Sequence, residues 1–410
     1  MRNCIRGTRV NLGYIPPVSW SNFIESRQGL RSINLRQSLR RFYWELKGVE
    51  PRSKNAMPEA DKVAIQESLT SQLKEFRRRS YRGPVALKLW FGTTEPNPAH
   101  IQTITKNLLD LFAVPRHLQS NRKALLYLDD SQISGLSVHC DHGCPEAFIR
   151  LQATPFHSVL HDLDLIGRYS DSLDEEERFS IDELENAFSL QEDIEAHPER
   201  WEPGMFQELR KHYQGSAQAS WLKGSTMKLL DLVMWYALPE HSAQALENTT
   251  QPSIDLNGTW YHLNPGRILL RELPHAEGQS ADYRAHLREV FDAYQSGFGK
   301  HLRPMQTPIG IEVLIKPPLD SSHGLHDLDN ACRDYLLPRV AEAFSPPIPK
   351  GNLASSVGPG VDYYEVWRLT RRPEDNTPGF VSIALAPSIG HPGMLYKIDK
   401  AVEQILDRLD

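Results

Sequence analysis

The chain has 410 residues, more than one hydrophobic core ordinarily serves, so two or three cores are expected. A formal charge of -6 and 24% charged residues fit a globular protein and argue against a uniformly basic nucleic-acid binder. The average conceals an asymmetry: residues 1–90 carry 18 Lys and Arg against 7 acids, whereas residues 160–250 are acidic by 12 charges.

The opening "MRNCIRGTRVNLGYIPP" has no continuous apolar stretch of the secretory kind. No segment approaches the roughly 18–20 apolar residues that span a bilayer. The best run, "MKLLDLVMWYALP", is broken by Lys228 and Asp231 and reads as a buried helix. A cytoplasmic protein with reduced thiols and no membrane partner is therefore expected.

The basic excess sits in "RQGLRSINLRQSLRRFYWELK" and "KEFRRRSYR", which place Arg40, Arg41, Arg77, Arg78 and Arg79 among apolar residues at helical spacing. Such stretches could track a phosphate backbone or form solvated helix faces. "EADKVAIQESLTSQLKEFRRR" then predicts a helix, "GPVALKLWFG" a strand and "HIQTITKNLLDLFAV" a second helix. "DDSQISGLSVHC" and "EAFIRLQATP" predict two strands. The acidic stretch that follows reads as a mainly helical insertion. Its pentapeptide LHDLD, Leu160 to Asp164, resembles a later copy at Leu325 to Asp329 only by accident.

The second half has the same order with little identity. "SADYRAHLREVFDAYQ" gives a helical stripe, "IGIEVLIKPP" a strand and "NACRDYLLPRVAEAF" a helix; "YYEVWRLTR" and "GFVSIALAP" give two strands. The expected architecture is α+β: two diverged repeats forming a pseudo-dimer around the acidic insertion. The predicted divisions are 1–155, basic; 156–250, insertion; 251–390, second repeat; and 391–410, a C-terminal helix.

In "HDLDN", Asp327 and Asp329 are two apart, so in an extended segment both carboxylates emerge on one face. Two such carboxylates repel unless a cation lies between them, and hard oxygen donors suit Mg2+ or Mn2+. Arg333, four residues after Asp329, can face the same site, neutralising a phosphate or holding a carboxylate. A third acid is expected from a neighbouring strand, Asp362 first and Glu365 second. Together they predict metal-assisted phosphodiester hydrolysis. The plainer alternative is that Asp327 caps a helix while Asp329 and Arg333 form an exposed pair.

Strand, D-x-D-N-x-x-(K/R), helix and a later strand preceded by an acid resemble the RusA-like Holliday junction resolvase family. The likeness extends to "GQSADYR" before the first helix of the second half and to "YLDDSQISGLSV" in the first, which is similar to that family's D-D-x-Q strand entry. The resemblance implies small α+β units that act as homodimers and cut branched DNA with Mg2+. By motif, Asp327 and Asp329 match the first two carboxylates, Arg333 replaces a lysine, and Asp362 approximates the third acid, although D-D-x-Q is absent there. The first half keeps Lys106, Asp129 and Asp130, but His100 and Gln102 stand where paired aspartates belong, so its own site is expected to be degenerate. Lys106 joins the Arg-rich front as a candidate DNA contact.

A rival signal is C-x3-C-x12-H-x3-H over Cys140, Cys144, His157 and His161, a spacing compatible with structural Zn2+. It is the lesser expectation, because the repeat already accounts for the hairpin. The expected function is a Mg2+-dependent endonuclease on branched or structured DNA, working as a monomeric pseudo-dimer or a homodimer. The alternatives are an inactive nucleic-acid binder using the basic front, and an interaction protein whose acidic insertion recruits a partner.

Overall fold

In the computed structural model the described residues are 40–159 and 268–387, less several short loop stretches. The 39 N-terminal residues, nearly all of the predicted insertion and the predicted C-terminal helix lie outside them.

The chain forms β1 (Phe42–Lys47), α1 (Glu59–Glu75), β2 (Val85–Thr93), α2 (Ile101–Ala113), β3 (Ile133–His142) and β4 (Phe148–Pro155). Further along the chain come β5 (Ile268–Arg271), α3 (Ser280–Ser296) and β6 (Ile309–Lys316). Next, α4 (Leu328–Ala331) runs through a π-helical turn (Cys332–Leu336) into α5 (Leu337–Phe344). A small hairpin, β7 (Ile348–Lys350) and β8 (Leu353–Ser355), precedes β9 (Val361–Arg368) and β10 (Phe380–Pro387).

All strands but β7 and β8 join one mixed sheet of eight, in the order β1-β4-β2-β3-β9-β6-β10-β5. The fold is thus α+β around a single mixed sheet. Read inward from either edge, the pairings are the same: antiparallel, antiparallel, then parallel, meeting at the antiparallel β3–β9 pair. Even the irregularities agree. The β2–β3 register shifts between Val85 and Ala86, and the β6–β9 register between Ile309 and Gly310. Each parallel pair is thus entered past one unpaired residue, Ser134 in β3 and Asp362 in β9.

Strand alternation explains which face the helices cover. Val85, Leu87, Leu89 and Phe91 of β2 and Ile149 and Leu151 of β4 alternate with more polar neighbours and are fully buried. On α1 the buried Ile65, Leu69 and Leu73 recur every four residues, and on α2 Ile101, Ile104, Leu108 and Phe112 do the same at three or four. Each such side chain contributes about 1.5–3 kcal/mol by leaving water. Trp44 fixes the β1 edge: its ring meets Phe112 edge-on at 5.6 Å and its Nε1 donates to Ser68 Oγ at 3.1 Å.

Two expectations are corrected. "FYWELK" is a strand rather than part of a helix, because Phe42, Trp44 and Leu46 alternate against β4. The Arg77–Arg79 run lies beyond the end of α1, with Arg77 at φ 51, and so is a turn rather than a helix face. Gly310 is one position where a glycine is required: a Cβ there would overlap the Tyr363 ring.

Candidate metal centre

The parallel β6–β9 and antiparallel β3–β9 pairings bring the start of β3 and the end of β6 to the same end of the sheet. The turn before β3 carries Asp129 and Asp130, and the segment after β6 carries Asp327 and Asp329, so acids from the two halves of the chain meet. Carboxylate oxygens of Asp130, Asp327 and Asp329 lie within 4.8 Å of one another.

Local structure decides which oxygens are presented. Asp129 accepts from Ser131 N at 2.8 Å in a capping box, while Gln132 Oε1 accepts from the backbone N–H groups of Leu128 and Asp129. Gln132 Nε2 also donates to the Tyr81 and Gly83 carbonyls. These bonds lock the turn and occupy Asp129, leaving Asp130 to face the centre. Across from it, Asp327 is the N-cap of α4 with extended backbone, yet its side chain makes no cap bond; it accepts from Asn330 Nδ2 at 3.1 Å. Asp329 stands one residue inside the helix, so the pair is set by a helix start rather than by the expected extended segment.

Asp329 is 2% exposed and neither of its oxygens accepts a hydrogen bond. Its neighbour is an ammonium: Lys106 Nζ lies 2.7 Å from Asp130 Oδ2, 3.2 Å from Asp329 Oδ2 and 3.7 Å from Asp110 Oδ1. Burial pushes the Asp329 carboxyl above its ordinary value, against the pull of Lys106. Burial likewise raises Asp130, opposed by Lys106, and burial with the charge of Asp130 raises Asp327. Asp129 is instead lowered by its bonds from Ser131. Burial alone would lower the Lys106 ammonium, but Asp130 and Asp329 outweigh it and carry it up. Three crowded carboxylates against one ammonium leave a site short of positive charge, and Asp329 has lone pairs to spare. That donor set fits a hard divalent cation.

Arg368, which the sequence did not single out, ties the two contributing loops together. Its Nη1 donates to the Ser131 carbonyl at 3.2 Å and its Nη2 to the His326 carbonyl at 2.7 Å. It therefore holds the Asp130 turn against the Asp327 segment from the end of β9. The π-helical turn begins at Cys332, three residues past Asp329; such turns recur at functional sites.

Other expected residues fall differently. Asp362 lies at the far end of β9 from Arg368, six residues or about 20 Å along the strand, in the register shift beside β6. It is not brought to the trio, and Asp130 takes the third position. Glu365 is buried on the sheet face away from the helices, accepting from Tyr363 Oη and from Trp367 Nε1 at 2.7 Å. Arg333 donates to Asp334 at 2.7 and 2.9 Å and makes no i,i+4 pair with Asp329. Lys106 is held by carboxylates rather than offered to a phosphate.

The arginines do gather. Arg78 donates to the Arg40 and Arg41 carbonyls, and Tyr81 N donates to the Leu126 carbonyl, so residues 77–82 run along the sheet's end from the β1 corner towards the Asp129–Asp130 turn. Arg40, Arg77, Arg79 and Arg82 are exposed there. The zinc spacing is not realised by the described residues. Cys144 precedes β4 and His157 follows it, eight strand residues or about 25 Å apart, and His157 instead meets Arg40 at 3.5 Å. His161 lies outside the described residues.

No family model matches the chain, and no curated protein matches it either. Among the described residues no helix is long and apolar enough to cross a membrane.

Proposed function

We propose that the chain is a Mg2+- or Mn2+-dependent endonuclease acting on branched or structured DNA, built from two diverged RusA-like units that pack as a pseudo-dimer around an insertion. The observation that carries this reading is the convergence of Asp130, Asp327 and Asp329, the last a buried carboxylate whose Oδ2 lies 3.2 Å from the Lys106 ammonium and whose Oδ1 has no partner. The inward-matching strand order supports the two-unit architecture. When bound, the divalent ion would polarise the phosphodiester, acidify a water and neutralise charge on the leaving oxygen.

The chain's own residues then have separate tasks. Asp130, Asp327 and Asp329 would hold the ion. Lys106, paired with Asp130 and Asp329, balances their charge and would be within reach of a phosphate oxygen. Arg333, half-buried at the rim, is within the field of Asp329 and available to a second phosphate. The exposed Arg40, Arg77, Arg79 and Arg82 carry the nucleic-acid backbone towards the acids, an electrostatic contribution that weakens with salt.

The test is cleavage of labelled four-way junction, flap and plain duplex DNA in Mg2+, comparing the intact protein with Asp327→Asn/Asp329→Asn. Cutting lost in the variant while DNA binding persists is expected; equal cutting by both would overturn the assignment.

A second reading rests on Lys106. Its ammonium already fills the cation position, as in a nucleic-acid-binding protein that has lost its metal and keeps the scaffold. On that reading Mg2+ leaves thermal stability unchanged, and Lys106→Met creates no cutting.

A further inference from the structure

Because the pairings on the two sides of the β3–β9 pair match, each site residue has a counterpart. Val85 pairs Ile133 and, after the shift at Ser134, Ala86 pairs Gly135; Ile309 pairs Val361 and, after the shift at Asp362, Gly310 pairs Tyr363. Ser134 and Asp362 thus correspond. Counting three residues back from Ile133 gives Asp130; the same count from Val361 falls on Gly358, outside the described residues, and the sequence has no Asp or Glu between Glu342 and Asp362. The helices α2 and α4 align on their N-caps, His100 and Asp327. Gln102 is then the counterpart of Asp329, and Arg333 that of Lys106.

The trio is built across the halves: Asp327 and Asp329 from one, Asp130 and Lys106 from the other. Exchanging every residue for its counterpart yields His100, Gln102, Gly358 and Arg333, a set without one carboxylate. Among the described residues the trio is also the one group of three or more metal-ligating side chains with atoms gathered within 4.8 Å.

We infer that one chain carries one composite cutting site and nicks a single strand per binding event, where two equivalent sites would cut two strands in concert. The inference rests on the nuclease reading above. In each cut one water oxygen bonds to phosphorus and one P–O ester bond breaks. One water proton ends on the departing hydroxyl and the other leaves the new phosphate monoester. A second cut requires rebinding or a second copy of the chain.

The experiment uses a supercoiled plasmid whose inverted repeat extrudes a four-way junction, with Mg2+ and the full chain limiting. A nick releases the supercoiling, and the junction is reabsorbed before a second cut. Open circles should form first and accumulate, with linear plasmid appearing only as the square of chain concentration. Linear plasmid formed in the first turnover, in proportion to chain concentration, would overturn the inference. Absence of any cutting would count against the nuclease reading itself, and a Mn2+ titration followed by electron paramagnetic resonance then tests the single site alone. Bound Mn2+ should be lost entirely in Asp130→Asn and in Asp327→Asn, each compared with the intact protein at equal folded fraction. Half the Mn2+ retained in either variant would reveal a second equivalent site and contradict the inference; an intact chain that binds no Mn2+ would contradict it as well.

Discussion

The two halves of the sheet share a scaffold and differ in what they hang on it. Both enter their inner parallel pair through the same register shift, and both start a helix at a residue with extended backbone, His100 in one and Asp327 in the other. Yet the first half places its acids before β3 and the second places them at the start of α4. Neither set alone gathers three carboxylates; juxtaposed, they do. A scaffold held by buried apolar strands tolerates such divergence, because Val85, Leu87 and Leu89 or Ile311, Val313 and Ile315 keep the sheet whatever the loops carry.

The comparison breaks most sharply at the ligands. Replacing Asp130 by Asn should lower Mg2+-dependent cutting by about 1000-fold or more, since the ion's contribution to transition-state stabilisation is several kcal/mol. The same loss is expected of Asp329→Asn from the other half, measured in single-turnover cleavage. A smaller effect is expected of Arg368→Met, which leaves every ligand in place but unties the Ser131 and His326 carbonyls. Cutting should fall about 10- to 100-fold with a raised Mg2+ requirement, as for other groups that orient ligands, and excess Mg2+ should restore part of it.

Lys106→Met separates the metal-free from the loaded state. Without its ammonium, the buried Asp329 and the half-buried Asp130 lose their ion pair and only the more distant Arg333 opposes them, so the metal-free protein should lose about 3 kcal/mol in urea unfolding. Mg2+ should return most of that loss. Alanine at Arg77 and Arg79 should leave cutting chemistry intact but reduce the slope of log binding constant against log salt by about 2, read by titration of labelled DNA.

The smallest effect concerns acidity. The folded Asp327 carboxyl lies above the ordinary aspartate value, raised by burial and by Asp130. A group raised on folding contributes stability below its unfolded pKa and loses it as pH climbs through the folded one. Metal-free Asp327→Asn should therefore melt about 1–3 °C higher than the intact chain at neutral pH, and the gain should vanish on acidification towards pH 4.

Most of this scaffold was legible in the sequence because its strands and helices obey clean periods. The alternation of Ile309, Ile311, Val313 and Ile315 and the stripe of Ile101, Ile104 and Leu108 each give the right element within a residue or two. β1 was obscured by the arginines that precede it, which lend Phe42, Trp44 and Leu46 the look of a longer helix. β5 is four residues long, too short to show a period. For the site, the spacing singled out Asp327 and Asp329 but left a plain helix cap equally open, and the family resemblance tipped the reading towards a metal. Asp130 was noticed, but as a relic of a degenerate copy, because the third acid was sought in the strand following the pair. A clue lay in the complementarity itself: one half lacks the pair and keeps the D-D-x-Q turn, while the other does the reverse. Arg368 left no such trace, since a single arginine at a strand end gives no hint of which carbonyls it will reach.

The proposed cation site spans the two halves through Asp130 rather than lying within the second half through Asp362. It is tested most directly by the Mg2+-dependent rate on one four-way junction for Asp130→Asn and Asp362→Asn, each confirmed as folded by thermal unfolding. Asp130→Asn should lose cutting, while Asp362→Asn should retain a rate near that of the intact protein. Intact cutting by Asp130→Asn, or its loss in a folded Asp362→Asn, would contradict it.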